Sequence, residues 1–241
     1  MNVQFEVKYN LTPKIPTINT GRISGMFGLT PEQGERIYVN PFSIDVEPEQ
    51  IILFHGTSGG GKTSCLRQFA QQMNAFDLNQ VEYKNNKAVV DQLGDDFDEA
   101  IQIAGICGLS EAQFFFRYPY ELSEGQLHRF RIARAIVSDA KTIVCDEFLA
   151  TLDRVTAKTI AYGLRKIVSN RKIILAVATT HDDLIDDLQP DYIVSFDGKN
   201  PSIHKQKIVK KKSHFTMICS LREGVNRIGN ISRNGTIVVT Q

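Results

Sequence analysis

The sequence predicts an α/β domain built on a largely parallel sheet. Three observations predict it: apolar runs of strand length at Ile51–His55, Thr142–Cys145 and Ile173–Thr179, helical patterns between them, and a glycine-rich turn that joins the first run to a helix. A parallel sheet covered on both faces needs continuous apolar strands, and its crossovers need helices. At 241 residues, 42% hydrophobic and 23% charged, the chain suits one such domain with a small appendage. Disordered, collagen-like and disulfide-scaffold classes are excluded by that composition.

Each element has its own justification. Residues 3–9 and 37–46 alternate apolar and polar side chains, the pattern of half-buried strands, and predict an antiparallel N-terminal β subdomain. After the glycine-rich turn, Leu66, Phe69, Ala70 and Met73 recur at helical spacing. Residues 91–124 are helical in pattern and acidic, with eight carboxylates against Arg117. A helix is expected from Ser123 to about Ser138, another over 154–168, and a strand at Tyr192–Phe196 before the Asp197-Gly198 turn. The expected boundaries are a cassette over 1–198, with a helical subdomain at about 92–138, and a basic β extension over 199–241 ending in a hairpin around Arg233-Asn234-Gly235.

Charge and cysteine content narrow the function. Lys+Arg 28 against Asp+Glu 27 gives a net charge of +1, so no global field draws the chain to nucleic acid or an anionic membrane. Cys65, Cys107, Cys145 and Cys219 form no C-x-x-C pair, which fits reduced thiols and a cytoplasmic location. The start lacks a signal-peptide pattern, and no apolar run approaches bilayer length.

The chemistry begins at Gly56-Thr57-Ser58-Gly59-Gly60-Gly61-Lys62-Thr63, which fits G-x-x-x-x-G-K-[ST] between a strand and a helix. Glycines let backbone N–H groups turn toward phosphate oxygens, and the helix N-terminus adds partial positive charge. Lys62 suits the β/γ-phosphates, Thr63 suits Mg²⁺, and Ser64 supports the same helix start. Asp146 and Glu147 end the strand at Thr142–Cys145, placing one carboxylate for Mg²⁺ and one to polarise water.

Leu122-Ser123-Glu124-Gly125-Gln126 resembles the LSGGQ signature of ATP-binding-cassette ATPases, with Glu124 where the family has its first glycine. Ala150-Thr151-Leu152-Asp153 resembles the D-loop, and His181, after IILAVATT, the switch histidine. Phe27, 35 residues before Lys62, resembles the adenine-stacking aromatic, with Tyr38 as competitor. Gln92 is the candidate Q-loop glutamine reaching metal and water, with Asn79-Gln80 the other choice. The resemblance spans about 20–198 and implies a P-loop NTPase cassette with a small helical signature subdomain, using ATP and Mg²⁺. It also implies a head-to-tail homodimer in which Ser123, Glu124, Gly125 and Gln126 serve the partner's nucleotide.

The interval from Gln92 to Ser123 is short for this family. With no membrane segment, that favours a free-standing ATPase coupled to nucleic-acid or partner remodelling, acting with separate protein partners. The alternative is the ATPase subunit of a transporter whose membrane chains are encoded separately. Lys199, Lys205, Lys207, Lys210, Lys211 and Lys212 make nucleic acid a candidate ligand, and His128, Arg129, Arg131 and Arg134 suggest a second basic surface.

Overall fold

The computed structural model describes residues 1–12, 15–30, 34–138 and 140–206. Strands β1 (Asn2–Leu11) and β2 (Gly34–Asp45) form an antiparallel arm. Strands β3 (Ile51–Gly56), β4 (Phe76–Asp77), β5 (Thr142–Cys145), β6 (Ile174–Thr179), β7 (Tyr192–Phe196) and β8 (Ser202–Lys205) form one sheet in the order β4-β5-β6-β3-β7-β8. All pairings in it are parallel except β7 with β8. The predicted α/β class, the mostly parallel sheet and the antiparallel N-terminal arm are all present. Because β8 pairs with β7, the sheet continues past residue 198, the expected cassette boundary.

Helices α1 (Ile18–Phe27), α2 (Lys62–Met73), α3 (Phe97–Ile106), α4 (Ala112–Phe116), α5 (Glu124–Val137), α6 (Arg154–Arg171) and α7 (Ile185–Leu188) connect the strands. Strand period 2 splits the apolar runs between two cores. Ile51 and Leu53 join the core with α3, α5 and α6, whereas Ile52 and Phe54 join the one beneath α2 and the arm. Ile143 and Cys145 part from Val144 in the same way, as do Leu175 and Val177 from Ile174, Ala176 and Ala178. The strands read as unbroken apolar runs because each side is a core.

The arm is tied to α2 by side chains that imitate a strand. Gln68 Nε2 donates to Glu6 O (2.6 Å) and its Oε1 accepts from Glu6 N (3.1 Å). Gln72 repeats this with Gln4, at 2.6 and 3.0 Å. One turn earlier, the Ser64 and Tyr9 hydroxyls lie 3.1 Å apart. Positions 64, 68 and 72 share one helix face, so α2 runs antiparallel along β1.

Sequence periodicity anticipated most elements but not α1, a helix with no buried residue. Thr17 and Thr20 form its capping box and Gly28 (φ 64°) ends it, while Gly21 and Gly25 dilute the helical pattern. Helix α6 extends past 168 because Lys172 stops it in the left-handed region. The hairpin expected around residue 234, Cys219, and the lysines at 207 and 210–212 lie outside the described residues.

Below the sheet, Arg165 Nη1 donates to Asp191 Oδ2 at 2.6 Å, with side chains 9% and 13% exposed. The same Oδ2 accepts from Ile51 N at 2.8 Å, so this carboxylate also sets the start of β3. Asp191→Ala strands the guanidinium without its counter-charge and is expected to cost about 3–5 kcal/mol in urea unfolding. Asp191→Asn, which keeps an acceptor, is expected to cost less.

Candidate functional site

The loop between β3 and α2 exists because two glycines let neighbouring chain come close. At Gly56 (φ 136°) a Cβ would lie 2.8 Å from Phe196 O, and at Gly61 (φ 102°) it would lie 2.5 Å from Val39 Cγ2. Any side chain at either place collides with backbone or core. The resulting cradle holds Lys62, 8% exposed, whose Nζ donates to Gly56 O (2.7 Å) and Thr57 O (2.6 Å). Burial pulls the Lys62 amine below its ordinary pKa, with Asp146 opposing that shift.

Asp146 and Glu147 stand opposite the loop. Glu147 (φ 52°) and Leu149 (φ 54°) are both left-handed without being glycine, a conformation costing about 1–3 kcal/mol each. Buried Phe148 and Leu149 anchor the turn, and Phe148 N donates to Ala178 O (2.9 Å) at the end of β6. The turn leaves the Glu147 side chain exposed, on the wall of a cavity of about 230 Å³. Ser58, Gly59, Gly61, Lys62, Thr63, Ser64, Asp146 and Thr179 also line that cavity. Among the described residues no three His, Cys, Asp or Glu side chains gather as a metal site. Thr63 and Asp146, a hydroxyl and a carboxylate on one cavity, are oxygen donors of the kind a hard cation takes alongside phosphate oxygens.

The signature segment is built as its residues predict. Ser123 Oγ accepts from Gln126 N (3.3 Å) and Gln126 Oε1 accepts from Ser123 N (3.1 Å), a reciprocal cap on α5. Arg129 fixes it by donating to Gly125 O (3.1 Å) and Gly108 O (2.7 Å), and Leu152 packs at Gly125. Ser123 and Glu124 are exposed, and neither lines the phosphate-loop cavity. Asp153 caps α6 through Thr156 N (2.9 Å), which holds its carboxyl below the usual range. The next residue, Arg154, forms a two-pronged pair with Asp183, joining this loop to the segment after half-buried His181.

Two of the candidate residues, Gln92 and Phe27, do not line the phosphate-loop cavity. Gln92 is buried, and its carboxamide is consumed: Oε1 accepts from Lys84 N, while Nε2 donates to Lys84 O and Lys87 O. It braces a loop, with both halves of its amide engaged by backbone groups. Gln80, with Asn79, instead lines a cavity of about 330 Å³ shared with Thr63 and Asp146. Phe27 sits on α1, 63% exposed and absent from the phosphate-loop cavity. The aromatic on that cavity is Tyr9, T-shaped against Tyr38 at 5.1 Å, and Tyr38 lines the other side of the loop. The signal for Tyr9 was present, since it continues the series Val3, Phe5, Val7 to the end of β1.

The second basic surface dissolves as well. Arg134 donates to Gln92 O and Glu82 O, Arg131 covers the Tyr83 ring, and Arg129 is occupied as above. Burial and Arg131 lower the pKa of His128, which favours its neutral form. Cys65 and Cys107 are free and buried, their thiols pushed up to about 12 by burial.

No protein-family model matches the chain. A methionine import ATP-binding protein MetN of Clostridium tetani is 24% identical over 213 residues, covering 71% of this chain and 65% of that protein. A sulfate/thiosulfate import ATP-binding protein, CysA 2 of Agrobacterium fabrum, is 21% identical, covering 83% of this chain and 69% of that protein. The match to another MetN, from Oceanobacillus iheyensis, spans 59% of its length, so the chain covers about two thirds or less of these methionine-import relatives. The dimeric structure of MJ0796, a bacterial ABC transporter cassette, superposes with a TM-score of 0.57 at 16% identity, covering 72% of this chain and 93% of that one. The phosphate loop, the Asp-Glu strand end and the capped signature helix occur in this order on this sheet, and similar proteins are ATP-binding cassettes. In sequence and in fold, the chain is similar to ATP-binding cassettes.

Proposed function

We propose that the chain hydrolyses ATP as one half of a head-to-tail homodimer and energises separately encoded membrane chains at the cytoplasmic face of a membrane. One observation carries this reading: Lys62, Thr63, Asp146 and Glu147 share one cavity, while the exposed Ser123 cap stands apart from it. Each chain thus holds two half-sites that a second copy completes. The loop from Gly56 to Gly61 and Lys62 hold the β/γ-phosphates, with Ser64 supporting the helix start. Thr63 and Asp146 would hold Mg²⁺, which would supply positive charge to offset that of the phosphates. Glu147 accepts the proton of the attacking water, and His181 and Gln80 orient the γ-phosphate side. The partner's nucleotide meets Ser123, Gly125 and Gln126, with Asp153 alongside. Tyr9 and Tyr38 offer the base an aromatic wall.

The membrane role is favoured over a nucleic-acid task by the import functions in the names of the relatives. No helix among the described residues is long and apolar enough to cross a membrane. With Gln80 in place of Gln92, the stretch up to Ser123 is twelve residues longer, which weakens the argument from a short helical subdomain. The guanidiniums after the signature are occupied within the fold, and the lysines at 207 and 210–212 lie outside the described residues. A neighbouring gene for a polytopic membrane protein, and its copurification with this chain, is the expected outcome. ATPase stimulation by DNA or RNA instead would overturn the membrane reading.

Glu147→Gln is expected to trap a dimer of doubled mass with ATP and Mg²⁺ in sedimentation. Adding Ser123→Arg should abolish that dimer while leaving nucleotide binding to the monomer within about twofold; loss of monomer binding would sink the trans role.

Gln80→Ala is expected to lower kcat at unchanged folding stability. Gln92→Ala should do the reverse, costing roughly 1–3 kcal/mol for the backbone groups it leaves unpaired.

Tyr9→Ala should raise the Kd for a fluorescent ATP analogue by about tenfold, a typical stacking loss, whereas Phe27→Ala should leave it unchanged.

A further inference from the structure

Two apolar surfaces remain unused by the site. Helix α1 lies in the chain between β1 and β2, the strands that carry Tyr9 and Tyr38, and buries none of its residues. Ile18 is 80% and Met26 76% exposed, and with Arg22 they share one face at four-residue spacing. The second surface lies just before the signature. There Phe116 is 79% and Tyr120 67% exposed, and the Tyr118 and Tyr120 rings stack at 5.7 Å. Its rim is acidic, with Glu111, Glu121 and Glu124 exposed.

We infer that α1 of one protomer docks on the aromatic surface at Phe116–Tyr120 of a second copy, once on each side of the dimer. This inference rests on the head-to-tail pairing proposed above. A twofold axis that brings a phosphate loop to the partner's signature also brings their surroundings together, in two equivalent contacts. Tyr9, two residues before the end of β1 from which the chain leads to α1, lines the phosphate-loop cavity, and residues Phe116–Tyr120 lie just before Ser123 in the chain. The chemistry also matches: an apolar stripe carrying Arg22 faces aromatic rings rimmed by carboxylates, which suit both apolar contact and a guanidinium. Exposed apolar clusters of this kind mark interaction surfaces. The contact would add dimer affinity without touching nucleotide.

The test uses the full chain carrying Glu147→Gln, with ATP and Mg²⁺. Ile18→Ser/Met26→Ser is expected to weaken dimerisation by about tenfold or more, as loss of buried apolar anchors does. ATP binding to the monomer should be unchanged. Both side chains are exposed, so folding is not at stake. In a Cys219→Ser background, a chain with Met26→Cys mixed with one carrying Tyr120→Cys should form a disulfide-linked pair, and neither should link to itself. A trapped dimer indifferent to the α1 substitutions, or one that fails to cross-link, overturns the docking alone. Absence of any dimer from Glu147→Gln overturns the docking and the head-to-tail reading together.

Discussion

Parallel pairing of β3 with β6 on one side and β7 on the other is the constraint from which the site follows. Strands aligned in one direction deliver their carboxyl ends to one edge of the sheet, where α/β proteins bind ligands. Gly56 ends beside Phe196, with which it pairs, while Thr179 sits one strand away. Strand β5 adds Asp146 at the same edge through its register with β6. Residues far apart in the chain therefore share a cavity without any long connecting loop. Asp191 supports this arrangement from the opposite edge by holding the first N–H of β3 while neutralising Arg165.

On that frame the turn at Glu147 spends conformational energy. Two left-handed residues within three positions would drift in a loosely packed loop. Here Phe148 and Leu149 sink into the core and a backbone bond to β6 closes the turn. The Glu147 carboxylate is thus held at the cavity wall by the packing of its neighbours. The same economy appears at Arg154, whose pairing with Asp183 makes the loops around Asp153 and His181 one unit.

Much of this was legible in the sequence because local rules wrote it. Glycines at tight approaches, a Ser-x-x-Gln cap and apolar strand runs each need only neighbours in sequence, and they marked the phosphate loop, the signature helix and the sheet. What escaped depended on tertiary partners. On paper Gln92 is the first candidate and Gln80 the second, and only the backbone groups around Gln92 reveal that its amide is engaged. Phe27 had a suitable spacing but stands on a helix that nothing buries. Tyr9 became a site residue only when the arm folded over the loop. The arginines after the signature read as a charged face, yet Arg134 is held by the carbonyls of Gln92 and Glu82, Arg129 by those of Gly125 and Gly108, and Arg131 lies over the Tyr83 ring.

The glutamines of α2 bear on a different hazard. Strand β1 gives one edge to β2, and its other edge would expose a row of N–H and C=O groups, a template on which another chain could add a strand. Gln68 and Gln72 close that row at Glu6 and Gln4 with both halves of each carboxamide. The helix that presents Lys62 therefore also guards the arm against edge-to-edge aggregation.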